Sequence, residues 1–534
     1  MDEGMDKSAA RLFLVYLLGL VGLLGGLALA KGGLYVERHE GDTLHLIEIV
    51  LRMSEGQWPH LDFVTPLGML CFLPIVAFMW LGLGVGAAIV MAQISVALLL
   101  VPMVWWLGRS RLSRGLAYGV GALVLVMALA MIHGEAAISL SLSMHYNRWA
   151  WSFAFVAILI AVLDPKHSSN EWIDGLIVGV AFSFFVMGKI TYGVAFAPGV
   201  AVALAMRGQW RVIATALVVV ALFAGVLTAL AGPAMWMGYL GDLLLVSSTE
   251  IRPRAGFSMG ALLAAPQFLL GNIVLILAAV VLRRGVDPRL GMFLILLAPG
   301  MIYVTYQNYG NDPKWLALVA VMILAVSRGP QVVALAVAAG ALVFASFFNM
   351  ATSPLRHFLT NEQGFTALFQ GTPYAETHGD FYTRADRVNR IMTRKPMIFE
   401  SDELSYLNAL ADHKPEVEFL GEALPTCLQE LGLIGASLAI AKDLDESGLS
   451  EGKTVFVADT FGSLWMFGGL QPTHGAAPWY YGNLSGYDAA DYFLVPSCPT
   501  TPYAYRAIMK DVKDRGETLT ELRRTELYTL YARP

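Results

Sequence analysis

Apolar runs of membrane length, each bounded by charge or by turn-forming residues, recur along the first 350 residues of this chain. They cover residues 12–30, 85–107, 115–133, 148–163, 173–188, 191–206, 212–232, 259–282, 290–306, 314–327 and 331–350. A helix needs about 20 apolar residues to cross the hydrocarbon core, where lipid offers no partner to backbone N–H and C=O groups. The pattern therefore predicts an α-helical polytopic membrane protein with about 11 transmembrane helices. Residues 67–82 are ambiguous: they either cross the membrane or lie as a juxtamembrane hairpin on its outer face. The distribution of Lys and Arg decides between these readings. If 67–82 does not cross, Arg109, Arg111, Arg114, Lys166, Arg207, Arg211, Arg283, Arg284, Arg289 and Arg328 all fall in cytoplasmic loops. If it crosses, those loops move outside and the positive-inside rule fails, so the expectation is N-terminus inside and C-terminus outside. Lys7 and Arg11 precede the first run, and Ala28-Leu-Ala30 resembles a cleavage site. The apolar core is too long for a typical signal peptide, so an uncleaved signal-anchor is expected.

After Met350 the pattern changes. Residues 352–534 scatter Gly, Pro, Asp and Tyr with no membrane-length run. A helix is predicted at 402–412, buried strands at 454–458 and 492–495, an amphipathic helix at 503–515, and two paired strands at 518–524 and 526–531. The division expected is a transmembrane domain over 1–351, with the outer loop 31–84 carrying the active site, and a C-terminal extracytoplasmic α/β domain over 352–534. Composition agrees with a membrane chain: of 534 residues 56% are hydrophobic and 14% charged, with mean hydropathy +0.59. Soluble domains carry about a quarter charged residues. A net charge of −5 argues against a nucleic-acid partner. Cys427 and Cys498 both fall in the C-terminal region, where an oxidising compartment favours a disulfide; two buried thiols are the alternative. No CxxC or Cys/His cluster suggests a structural zinc site.

Asp42 carries the most chemistry. It follows the first apolar run in Glu40-Gly41-Asp42, and a carboxylate at a membrane surface costs solvation energy unless it has a task. One such task is capping: Asp42 precedes 43–53, in which Leu44, Ile47 and Leu51 form an apolar stripe. His60 and Asp62 form a second short polar element, for which an Asx turn is an equal reading. Lys189, alone between two apolar runs, is expensive unless it snorkels or meets an anion. Arg252 and Arg254 sit in an outer loop against the usual charge bias, and guanidinium forks suit phosphate. Lys314 closes the polar, aromatic stretch 306–314. Asp459, Trp465 and Trp479-Tyr480-Tyr481 form either a carbohydrate-stacking surface or core and rim.

An acidic-x-acidic spelling after the first span, followed by Gly56, Pro59 and Asp62-Phe63, resembles the first outer loop of GT-C glycosyltransferases. Met187-Gly-Lys189-Ile-Thr-Tyr192-Gly193 is similar to the family's Lys flanked by Gly between two helices. The resemblance covers residues 12–330 in topology and two short motifs in detail. It implies transfer of a sugar from a polyprenyl-phosphate donor to a glycan, lipid or protein acceptor, at the outer face of a bacterial inner membrane; with only one well-placed carboxylate evident, a single inverting displacement is expected. It implies Asp42 as base, with Glu40, His60, Asp62, Lys189, Tyr192, Arg252, Arg254 and Lys314 binding substrate. Some members bind a divalent metal here, which points to Glu40 and Asp42, with His39, as ligands of Mg or Mn. Glu135 is the nearest counterpart of a second family acid, although its local pattern departs from the family's. A transporter or flippase is the rival reading, and it lacks support from any internal repeat. A non-catalytic scaffold of envelope assembly is a third.

Overall fold

A computed structural model describes residues 6–134, 136–249, 251, 258–308, 312–393 and 418–534. The predicted helix at 402–412 lies outside the described residues, as do Glu135, Arg252 and Arg254. The chain divides into two compact units: residues 1–39, 67–233 and 253–361 form the first, and 40–66, 234–252 and 362–534 the second. The last apolar helix continues to Phe358, and two segments from the apolar half pack with the C-terminal region.

The first unit is a helical bundle. In chain order its helices are α1 (Lys7–Ala30), α3 (Leu73–Trp80), α4 (Val85–Arg111), α5 (Arg114–Leu129), α6 (His145–Val162), α7 (Glu171–Met187), α8 (Ile190–Met206), α9 (Trp210–Ala231), α11 (Met259–Ala264), α12 (Pro266–Val281), α13 (Pro288–Gln307), α14 (Trp315–Val326) and α15 (Pro330–Phe358); α2 (Glu40–Ser54) and α10 (Ala234–Ser248) belong to the second unit. Every predicted span coincides with a helix, except that 259–282 is divided at Ala265–Pro266 into α11 and α12. The ambiguous run 67–82 contains only the eight-residue α3 after a short turn. Eight residues rise about 12 Å, far short of the roughly 30 Å hydrocarbon core, so α3 does not cross as a helix. Six helices among the described residues are long and apolar enough to cross a membrane. Large apolar side chains stand exposed on them, among them Val15, Leu217, Leu222, Leu230, Ile276 and Phe344. Such a surface is stable in lipid and not in water, so the chain is an integral membrane protein. Because lipid is as apolar as the side chains, close backbone approach supplies much of the packing. Gly175 and Gly179 of α7 face α9 so closely that an added Cβ would lie 2.4 Å from Thr215 Cβ and 2.6 Å from Val219 Cβ. The one deeply buried ion pair described inside the bundle, Arg111 with Asp174 at 2.6 Å, is also bonded by Trp106 Nε1.

The second unit is α/β. Its four-stranded sheet has the order 520–524, 528–532, 492–496, 455–457; the last two strands are parallel and the other pairs antiparallel. The four predicted strands appear with boundaries shifted by one or two residues, and the two expected to pair do so. The predicted amphipathic helix is Pro502–Arg515, and a second helix, Leu433–Glu446, was not expected. Phe456, Phe493, Ile508, Val512 and Tyr531 build the core. Cys427 and Cys498 are disulfide-bonded. The unit also contains α2 (Glu40–Ser54) and α10 (Ala234–Ser248).

Candidate functional site

The acidic turn after the first span is built into α2. The helix begins at Glu40, after His39 with φ +65°, so Asp42 stands inside its first turn and is not its N-cap. Glu40 and Asp42 lie where the free N–H groups and positive end of the helix dipole favour carboxylates. Asp42 is half-buried. Every residue from Thr43 to Met53 is buried, so α2 does not have the one-sided apolar stripe that 44, 47 and 51 suggested. Its polar positions are internal. Glu48 and Arg52, each 1% exposed, pair at 3.1 Å. Trp465 Nε1 and Ser463 Oγ donate to Glu48, and Arg52 Nη1 donates to the carbonyl of Thr473 and to Gln57, each at 3.1 Å. A buried pair is tolerable only when its remaining donors and acceptors are satisfied this way.

Gly41 explains how the turn closes. A Cβ there would fall 2.5 Å from Phe461 Cζ, so a larger residue between the two acids would force that half-buried ring to shift. Phe461 and Glu40 border a cavity of about 250 Å³ near the carboxyl ends of the parallel strands, with Arg387, Ser437, Asp459 and Thr500 in its walls. Glu40 is held by Arg387 through both carboxylate oxygens, Oε2 accepting from Nη2 at 2.8 Å. Asp459 accepts from the backbone N–H groups of Thr460, Thr500 and Thr501 at 2.7, 2.6 and 3.1 Å. Burial nevertheless pushes its carboxyl above the ordinary range. Trp465, Tyr480 and Tyr481 are core residues, while Trp479 is half-buried and packs edge-on against Phe461 at 5.0 Å. This favours core and rim over a continuous stacking surface.

His60 is buried and in the left-handed region, φ +70°. Its Nδ1 lies 2.7 Å from Asp242 of α10, which also accepts from Thr65 N at 3.1 Å. The ring stacks obliquely on Tyr239 at 4.5 Å. Asp62 accepts from Trp58 N at 2.6 Å, the loop-stabilising turn, and lies 3.7 Å from His474. Both residues thus hold the loop 58–65 in shape. Asp242 was not anticipated, because its partner is 182 positions away.

In the first unit Lys189 precedes α8, half-buried, with Nζ 5.1 Å from the ring centre of Tyr146. Tyr192, expected to contact substrate, is fully buried against Trp151, and its hydroxyl donates to the Asn147 carbonyl at 3.2 Å. It is a packing residue of the bundle. Lys314 is 3% exposed and donates to the Gly134 carbonyl at 2.5 Å. It shares a water-sized void with Arg148, His133 and Asn147. The structure groups Glu40, Asp42, His60 and Asp62 in one unit and Lys189, Tyr192 and Lys314 in the other.

The donor set does not fit a divalent ion held by protein alone. Glu40 is engaged by Arg387, His39 Nδ1 lies 2.8 Å from Ser141 Oγ, and no group of three His, Cys, Asp or Glu side chains converges among the described residues. No protein-family model matches the chain, and no curated protein is detectably similar in sequence. Among solved structures it is similar to the crystal structure of ArnT from Cupriavidus metallidurans in the apo state, at 12% identity. That alignment covers 98% of this chain and 97% of the other, with a TM-score of 0.40.

Proposed function

We propose that this chain is a GT-C-type membrane glycosyltransferase, moving a sugar from a polyprenyl-phosphate donor to an envelope glycan, lipid or protein acceptor on the extracytoplasmic face. The observation that carries the reading is the acidic first turn of α2. It follows the first apolar helix after one short strand, Leu34–Val36, and its Asp42 neighbours Gly41, which packs against Phe461. A carboxylate held in the first turn of a helix is a positioned group, and positioned groups suit chemistry. The disulfide between Cys427 and Cys498 supports an oxidising, extracytoplasmic location for the second unit.

In this mechanism Asp42 accepts the proton of the acceptor hydroxyl as that oxygen attacks the anomeric carbon. The bond to the polyprenyl phosphate breaks with its electron pair, and the polyprenyl phosphate departs as an anion. Glu40 has a positioning part: paired with Arg387, it fixes the turn that carries Asp42. One displacement inverts the anomeric configuration. Asp42→Asn keeps the side-chain shape and removes the base, so turnover falls by about 10²–10⁴-fold with donor binding little changed. Lys189→Met weakens donor binding, and Lys189→Arg retains part of it. Retention of configuration, or an undiminished rate in Asp42→Asn, refutes the assignment.

A further inference from the structure

A second polar site lies at the end of the first unit where α4, α6, α8 and α14 finish and α13 begins. Arg111, Lys166, Arg207 and Arg289 converge there on a cavity of about 250 Å³ whose walls include Leu290 and Phe293. These cations come from four loops that the distribution of charge assigns to one face of the membrane. Arg111 is committed to Asp174 at 2.6 Å and to the Leu163 carbonyl at 3.1 Å. Lys166 Nζ donates to the Ala325 carbonyl at 2.7 Å. Arg207 and Arg289 share one carboxylate: Arg207 Nε meets Asp164 Oδ1 at 2.9 Å, and Arg289 Nη2 meets Oδ2 at 3.1 Å. Asp287 is occupied as a helix cap, accepting from the N–H groups of Arg289 and Leu290. Four cations therefore face three carboxylates.

Arg207 adds the independent observation. Its side chain is 3% exposed, and Nη1 donates to the carbonyls of Ile160 and Ala161, yet Nη2 is buried with no hydrogen-bond partner. Loop arginines that only set orientation are solvated; a guanidinium buried to this depth with an unused N–H is incomplete. We propose that this cavity binds a phosphate group, with Arg207 Nη2 and the Arg289 guanidinium as donors and Asp164 holding the two forks side by side. Guanidinium forks match phosphate oxygens. A basic recess among helix ends, bordered by Leu290 and Phe293, suits the headgroup of an anionic phospholipid; a soluble phosphate compound offers the same group.

The test uses full-length protein, delipidated in a neutral detergent and titrated with phosphatidylglycerol, phosphatidylcholine or inorganic phosphate. Thermal shift and native mass spectrometry report binding. Phosphatidylglycerol should bind and stabilise, and phosphatidylcholine should not. Arg289→Gln, at a side chain 62% exposed and therefore safe for folding, should weaken that binding roughly tenfold. A shift with inorganic phosphate equal to that with phosphatidylglycerol, and equally weakened in Arg289→Gln, assigns the site to soluble phosphate compounds. Absence of binding by either phosphate source, or equal binding in the wild type and Arg289→Gln, overturns the proposal. The readout is binding alone, so it stands or falls independently of glycosyl transfer.

Discussion

Replacing Arg52 by Met tests how α2 is held. Met roughly preserves the unbranched stem and removes the guanidinium. Four hydrogen bonds are lost: two to Glu48 Oε1 at 3.2 and 3.1 Å, one to Gln57 and one to the Thr473 carbonyl. The contacts of the guanidinium with the Phe63 and Trp465 rings, at 5.6 and 5.5 Å, disappear as well. Glu48 is left buried with only Trp465 Nε1 and Ser463 Oγ as donors. Stranding one member of a buried pair costs about 3–5 kcal/mol. For a unit of 150–250 residues that corresponds to a fall in Tm of roughly 6–20 °C. Thermal unfolding in detergent, followed by tryptophan fluorescence, measures it. The decisive comparison is the double variant Arg52→Met with Glu48→Gln, in which no charge is stranded; it should recover at least half of the loss. If the double variant is as unstable as Arg52→Met alone, the cost is lost packing and the electrostatic reasoning is wrong.

Gly41→Ala should destabilise by about 1–3 kcal/mol and reduce transfer, because its Cβ would meet Phe461; adding Phe461→Leu should restore both, and failure to do so would remove the steric account. Asp443 clamps Arg523 at 2.6 and 2.7 Å and accepts from the Tyr528 hydroxyl at 2.6 Å, contacts that hold its carboxyl below the ordinary range, Arg523 foremost. Since the folded value lies below the unfolded value of about 3.9, this stabilisation is present above about pH 4 and lost as pH falls through the depressed folded value. Asp443→Asn should therefore cost about 0.5–1 kcal/mol at pH 7, and the difference from wild type should shrink in acid unfolding curves; a constant difference down to pH 2 contradicts it. Ser169→Cys and Lys513→Cys, both at exposed positions, should label from opposite sides of the membrane with an impermeant thiol reagent, and labelling from one side alone would show that the count of crossings is wrong.

The apolar spans and the central strands were legible because both are written in local periodicity. A long apolar run can only be a helix in lipid, and α1, α4 and α15 follow those runs closely. The strands at 455–457 and 492–496 likewise declare themselves as short apolar runs. Local pattern also singled out the turn that holds Glu40 and Asp42, but it misplaced the helix start by three residues. What only the tertiary structure decided is which polar residues are structural. Glu40 meets Arg387, 347 positions away, and His60 meets Asp242, 182 positions away. Tyr192 is buried in the bundle, and Glu48 and Arg52, for which the sequence carried no expectation, are enclosed by Trp465, Ser463 and Thr473. Periodicity records which face of an element is apolar. The partner of a buried charge is selected by burial across the whole unit, and no local window contains that information.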